Sequence, residues 1–131
     1  MPVDVLWDDE AKTILRQVYA GHIRLEDYMA ATDKFVSMAR SVPHTVHSIM
    51  DRTQVLSTPR VLLPAMRHAN HMLPSNVGLR VIVKASLFTR VLVDLGQRIA
   101  PHLITNIHFV DTLEDARHLI ASYDEKSAAT C

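Results

Sequence analysis

A nearly continuous apolar run at residues 79–85, LRVIVKA, is the feature that most restricts the fold of this chain. A run this short and this apolar is typical of a strand that is buried on both faces, as strands of parallel sheets are. Parallel neighbours must be joined by crossover connections, which are usually helices. The run therefore predicts an α/β protein with a mainly parallel sheet.

Segments with the two-residue period of strands alternate with segments of helical period on both sides of this run. The helix after it has an apolar stripe of Phe88, Val91, Leu92, Leu95 and Ile99. Asp51 ends the preceding strand, and a polar loop is predicted at 52–58. In chain order the pattern predicts strands at 3–7 and 13–19, a helix at 24–40, a strand at 45–51, a helix from 59 or 61 to 73 with a kink at Pro64, a strand at 79–85, a helix from Ser86 to Pro101, a strand at 107–110 and a helix from Thr112.

The predicted order is β-β-α-β-α-β-α-β-α, with four helices. Strands that alternate with helices imply right-handed crossovers, so only the opening hairpin is expected to be antiparallel. The chain has 131 residues, a length that suits one domain. We expect that domain to cover residues 1–126 and the tail at 127–131 to fray.

Charge and cysteine content narrow the class of protein. Lys and Arg together number 14, as do Asp and Glu, so the basic excess of a nucleic-acid-binding protein is missing. Cys131 is the only cysteine, which fits a reducing cytoplasm. The first residues do not resemble a signal peptide, and no apolar run reaches the ~18 residues of a membrane span. Zero net charge and Met-rich helices favour a homodimer.

The segment at 45–60, TVHSIMDRTQVLSTPR, is the best candidate for a functional surface. In open α/β sheets, ligands bind just beyond the carboxyl ends of the strands, which is where Asp51 and the residues after it are expected. Asp51 is interpreted as a loop cap that accepts backbone N–H bonds, or as a group that holds a cation or orients a partner. Ser57 and Thr58 suit the N-cap of the following helix, and a hydroxyl there is also compatible with phosphorylation.

The remaining polar residues predict neither an enzyme nor a cofactor site. The chain has three glycines, too few for a phosphate-binding loop. His68 and His71 fit the exposed face of a helix better than a metal site, which needs three or four ligands. The carboxylates at 8–10 and at 114–115 are expected to be solvated, in a hairpin turn and in the first turn of a helix.

Four segments in this order resemble the STAS fold of anti-sigma-factor antagonists, and more closely its uncharacterised bacterial STAS-like relatives. They are the hairpin strand TILRQVYAG, the third strand HSIMD, the fourth strand VIVKA and the closing strand and helix FVDTLEDARHLI, in which Thr112 and Ala116 give a T-x-x-x-A pattern. The resemblance covers residues 3–123.

The resemblance implies a non-enzymatic regulatory module that binds another protein. In such domains a Ser or Thr in the loop after the third strand is phosphorylated, within a motif that resembles Asp-Ser-Ser-Gly. Ser57 and Thr58 match its hydroxyls, and Thr53 is a third candidate. The preceding Asp is missing here, and Pro59 replaces the Gly. Partner contacts are expected from these residues together with Asp51 and Arg60.

The same topology borders on the CRAL-TRIO-like lipid-transfer fold, which gives a second hypothesis. In this hypothesis the domain carries a small apolar, lipid-like ligand between the sheet and the helices. It predicts a cavity lined by residues such as Met50, Leu62, Met66 and Phe88.

Overall fold

The computed structural model describes residues 2–59, 63–99 and 106–129 of the chain. Five strands and four helices follow one another in the predicted order. They are β1 (Val3–Trp7), β2 (Ile14–His22), α1 (Leu25–Arg40), β3 (Val46–Ser57), α2 (Leu63–Met72), β4 (Val77–Val83), α3 (Leu87–Ile99), β5 (Ile107–Val110) and α4 (Leu113–Ala129).

The strands form one sheet in the order β1-β2-β3-β4-β5. β1 and β2 are antiparallel, with Val5 opposite Gln17, and the other three pairs are parallel. The α/β class, the opening hairpin and the mainly parallel sheet are therefore confirmed. The single domain over 1–126 stays a prediction, and α4 includes the first three residues of the predicted frayed tail.

The two faces of the sheet pack against different helices. On one face, Val46 of β3 lies in a core cluster with Phe35 of α1. On the other face, Ile49 and Val81 lie in a cluster with Ile120 of α4. The apolar run of β4 contributes to both faces, because Val81 and Val83 pack toward α4 while Ile82 lines a cavity beside α3. The prediction that this strand is buried on both faces is confirmed.

Helix starts follow the local side-chain chemistry. In the first turn of α1, the Asp27 carboxylate accepts a hydrogen bond from the Arg24 backbone N–H at 2.8 Å. The Ser86 hydroxyl accepts from the backbone N–H of Thr89, and the predicted Thr112 cap accepts from that of Asp115 at 3.1 Å. Each bond satisfies a backbone donor that the first helical turn leaves without a partner.

Two boundary predictions were wrong. β2 does not end at Tyr19 but continues to His22, and β3 does not end at Asp51 but continues to Ser57. The segment predicted as a loop at 52–58 is thus largely strand, because its residues pair with the lengthened β2. The polar residues of this segment are typical of a loop, but here Thr53 and Gln54 are exposed residues of a paired strand and Arg52 is buried.

The second helix, α2, is described over Leu63–Met72 and includes Pro64. Pro59 is not helical, so of the two predicted starts only the one at 61 stays a prediction, as does the kink at Pro64. Val61 and Leu62 lie outside the described residues.

The apolar stripe of α3 does not face the core, contrary to what such a stripe usually does. Thr89 and Val93 are its buried side chains. Leu87 is largely exposed, and so are four of the five residues of the predicted stripe: Phe88, Val91, Leu95 and Ile99. Helical periodicity identified an apolar face correctly, but the helix is rotated so that its other face packs on the sheet.

A partly buried ion pair joins the hairpin to the last helix. Asp8 was expected to be solvated, yet its side chain is 5 % exposed. Arg117 of α4 donates to both carboxylate oxygens, at 2.8 and 2.9 Å. The hydrogen bond from Arg117 outweighs desolvation and lowers the pKa of Asp8. The expectation failed because α4 covers this end of the hairpin.

His47 fixes α4 on the same face of the sheet from a buried position. Its Nδ1 accepts the Leu79 backbone N–H at 3.0 Å, so Nε2 carries the proton and donates to the Asp124 carboxylate at 2.8 Å. The ring also meets Tyr123 edge-on. A Cβ on Gly78 would lie 2.5 Å from Nδ1, so only glycine leaves space for the ring.

No helix in the described ranges is long and apolar enough to cross a bilayer.

Candidate functional site

The second half of β3 projects beyond its neighbour on one side. β4 pairs with β3 as far as Asp51, opposite Val83, whereas β2 continues to pair with β3 up to Ser57. We call residues 52–57 the β3 extension. Within the part of the chain that the structure describes, its edge away from β2 has no pairing strand. Leu56 on this extension is 74 % exposed.

Two irregularities in the β2–β3 register shape the extension. They fall between Val18 and Ala20 and between Gly21 and His22 of β2, each opposite one extra residue of β3. Such bulges twist a strand and change the direction of its side chains. Asp51 lies just before the first irregularity and Arg52 within it, and both are buried, while Thr53 is exposed.

Asp51 turns inward and does not present its carboxylate at the surface. One carboxylate oxygen accepts the Thr53 backbone N–H at 3.0 Å and the Thr53 hydroxyl at 2.7 Å. This is the local side-chain-to-backbone bond that Asp commonly forms in turns. Asp51 therefore positions Thr53 at the start of the extension.

Ser57 and Thr58 do not lie directly before a helix. Ser57 is the last residue of β3, and α2 is described only from Leu63. The Ser57 hydroxyl lies 2.7 Å from Nδ1 of His22, and its backbone oxygen accepts the Ile23 N–H. Ser57 is exposed and Thr58 half-buried. Arg60, the other predicted contact, lies outside the described residues.

A second feature is a cavity of about 120 Å³ between the sheet and helices α1, α2 and α3. It contains Met50 and Met66, as the ligand-carrier hypothesis predicts, but not Phe88, which points to solvent. Leu62 lies outside the described residues. The lining side chains are Tyr19, Tyr28, Thr32, Met50, Arg52, Ala65, Met66, Ala69, Asn70, Arg80, Ile82, Thr89, Val93 and Ile107.

Two arginines line this cavity, and sequence reasoning missed both. Arg52 is 6 % exposed and donates a hydrogen bond to the Tyr28 hydroxyl. Its guanidinium lies 5.7 and 5.6 Å from the ring centres of Tyr19 and Tyr28. Burial lowers the pKa of Arg80. The available signal was alternation, because Arg52 follows Met50 by two positions and so shares its face of the strand.

The histidines take structural positions. His68 on α2 bonds the Asp33 carboxylate of α1 at 2.8 Å and so joins two helices. Within the described ranges, no group of three or more His, Cys, Asp or Glu side chains is placed to hold a metal ion.

The sheet order, the opening hairpin and the placement of the helices define a STAS-like α/β fold. Two solved structures are similar over nearly the whole chain. The anti-sigma factor antagonist SpoIIAA, in its unphosphorylated form, matches with a TM-score of 0.56 and 11 % identity over 92 % of this chain and 97 % of that one. An uncharacterised protein of the DUF3478 family with a SpoIIAA-like fold, from Shewanella loihica PV-4, matches with a TM-score of 0.61 and 12 % identity over 89 % and 90 %.

Identities this low establish the shared fold and nothing finer. No protein-family model matches the sequence, and no curated protein matches it significantly. The STAS-like fold that the four sequence segments predicted is confirmed.

Proposed function

We propose that this chain is a non-enzymatic regulatory domain that binds another protein through the β3 extension, in the cytoplasm. The observation that carries the proposal is the six-residue extension, whose outer edge is unpaired among the described residues and carries the exposed Leu56. An open strand edge offers backbone donors and acceptors to an incoming segment, and an exposed apolar side chain adds affinity. The likeness to an anti-sigma factor antagonist agrees with a role in protein binding.

Thr53, Ser57 and Thr58 are the proposed polar contacts beside Leu56. A phosphate on Ser57 would add about two negative charges on an exposed strand end next to His22. Charge at that point would alter partner binding without disturbing the core. Arg60 remains a proposed contact from the sequence.

Replacing Leu56 with aspartate is expected to abolish partner capture from a lysate of the source organism. A charge in the centre of an apolar contact must be desolvated without a counter-ion, which costs several kcal/mol. The measurement is affinity capture with quantitative mass spectrometry, and a Ser57→Glu, Thr58→Glu variant tests the effect of added charge.

Leu87→Asp is the matched control, because it makes the same change at an equally exposed leucine, the first residue of α3. Wild type and Leu87→Asp should capture the same protein, and Leu56→Asp should lose it. Equal capture by Leu56→Asp and wild type, or capture by none of the proteins, would contradict docking at the extension.

We propose homodimerisation through the exposed apolar face of α3. Phe88, Val91 and Leu95 repeat at three and four residues, a spacing that suits packing against an identical helix in a two-fold dimer. Because the chain has no net charge, electrostatic repulsion between two copies does not oppose this contact. Light scattering at high concentration should give twice the mass of one chain, and Leu95→Asp should give the mass of one. A wild-type monomer under these conditions would refute the dimer.

A second candidate function is binding of a small ligand in the cavity between the sheet and the helices. The favouring observation is the apolar lining by Met50, Met66, Ile82 and Val93 together with a few polar groups. Apolar walls with a small number of oriented polar side chains are typical of ligand sites. This site is separate from the outer edge of the β3 extension, so both functions can coexist.

A further inference from the structure

The buried guanidinium of Arg52 is held in the cavity by aromatic groups and not by an acid. Its hydrogen-bond acceptor is the Tyr28 hydroxyl, and its flat face approaches the rings of Tyr19 and Tyr28. An arginine has five N–H donors, and a neutral hydroxyl accepts only part of this capacity. Contact with two aromatic rings stabilises the cation but does not neutralise it.

Among the residues that the structure describes, no Asp or Glu side chain pairs with Arg52. All fourteen Asp and Glu residues lie in the described ranges, and none of them forms an ion pair with Arg52. Asp51, the adjacent acid, bonds Thr53 instead. The lining of the cavity has two arginines and no acid, so its described side chains carry two positive charges.

A buried cation without a counter-ion favours an anion that enters with it. Arg80 also lines the cavity, on the same face of the sheet, and its guanidinium lies 3.5 Å from the Asn70 side-chain oxygen. Ser48 lies opposite Arg80 in the β3–β4 register, so Arg52 is four positions further along β3, roughly 13 Å at the usual rise per residue.

The size and the walls of the cavity limit the rest of the ligand. A cavity of about 120 Å³ is close to the ~150 Å³ of an engineered cavity that holds one benzene ring. It is smaller than the roughly 300 Å³ at which pockets for drug-sized ligands begin. The ligand must therefore be small, and its body must suit methionine, alanine and valine side chains.

We infer that the cavity binds a small carboxylate with an apolar body about the size of one ring, and that Arg52 pairs with the carboxylate. The inference rests on the second candidate function and specifies its ligand. A carboxylate has the charge and the planar shape that one guanidinium recognises through two parallel hydrogen bonds. Inorganic phosphate lacks the apolar body that the walls require.

The test compares benzoate with its neutral analogue benzamide, by titration calorimetry and by ligand-observed NMR. Wild type should bind benzoate with a dissociation constant of about 1 mM or lower, a range that suits a ligand of nine heavy atoms. Benzamide and inorganic phosphate should each bind at least tenfold more weakly. Equal binding of benzamide and benzoate would overturn the anion inference but leave small-ligand binding intact, whereas no binding of either would overturn both.

Variants locate the site. Arg52→Gln should weaken benzoate at least tenfold and leave benzamide unchanged. Ala69→Leu, which fills the cavity without touching a charge, should weaken both compounds. Arg90→Gln removes a guanidinium that lies outside the cavity and should change neither. Circular dichroism checks that each variant folds. If Arg52→Gln does not fold, the benzoate affinity of Ala69→Leu decides whether the ligand binds in the cavity. Unchanged benzoate affinity in Ala69→Leu would place the binding elsewhere and overturn the inference.

Discussion

Replacing Gly78 with alanine is expected to lower the free energy of unfolding by about 3 kcal/mol. The new Cβ would lie 2.5 Å from Nδ1 and 2.6 Å from Cε1 of His47, well inside van der Waals contact. The ring is 2 % exposed, and its Nδ1 accepts the Leu79 N–H, so it has no space into which to move without breaking that bond. Urea denaturation of wild type and Gly78→Ala measures the loss.

Two further variants separate this clash from other effects of adding a methyl group. Gly21→Ala is the matched substitution, because no atom lies within 4 Å of the added Cβ and only its positive φ of 78° opposes alanine. That strain costs about 1–2 kcal/mol. In a His47→Ala background the clash with the ring is absent and only the 3.0 Å approach to Thr45 Cγ2 remains, so Gly78→Ala should then cost less. A similar loss in both backgrounds would contradict the proposed collision.

Replacing Arg117 with alanine is expected to lower the free energy of unfolding by about 2 kcal/mol at pH 7. The change removes the guanidinium that donates to both carboxylate oxygens of Asp8, whose side chain is 5 % exposed. Arg16, at 3.6 Å, remains beside that carboxylate. Arg117 itself is 47 % exposed, so screening by solvent keeps the loss below that of a fully buried pair. Arg98→Ala, which breaks the exposed pair with Asp94 on α3, should cost less than about 0.5 kcal/mol.

The effect of Arg117→Ala should also depend on pH. The hydrogen bond from Arg117 lowers the pKa of Asp8 in the folded state below the ordinary value of about 4. A carboxylate with a lowered pKa stabilises the fold above its unfolded pKa and loses this contribution as the pH falls through the folded value. The difference between wild type and Arg117→Ala should therefore be largest near neutrality and shrink below pH ~4. A constant difference from pH 7 to pH 2 would contradict the role of the Asp8 charge.

Much of the fold could be predicted because its local patterns are consistent. The continuous apolar centre of β4 and the cap at Thr112 act on neighbouring residues only, so the sequence reveals them. The positions of Asp8 and His47 could not be predicted, because their partners Arg117 and Asp124 are 109 and 77 residues away in the chain. The orientation of α3 could not be predicted for a related reason: a helical stripe shows which face is apolar but not which face packs on the sheet.

The sequence predicts the position of the candidate segment at the edge of the sheet correctly, but not its secondary structure. The segment after Asp51 does lie at the carboxyl end of the parallel strands, as the topology required. Its polar residues suggested a loop, whereas pairing with the lengthened β2 makes it a strand with an open edge. The burial of Arg52 could not be predicted, because a charged residue in a predicted loop is ordinarily solvated. Its burial depends on Tyr19 and Tyr28, which approach from β2 and α1.

Hydrogen exchange of the domain alone and bound to its captured partner tests partner docking at the β3 extension most directly. The backbone N–H groups on the open edge of residues 52–57 should exchange quickly in the free domain and slow at least tenfold in the complex, because a docked segment would bond them. Amides of α4, on the opposite face of the sheet, should be unchanged. Unchanged exchange at 52–57 together with protection of α4 would contradict the proposal.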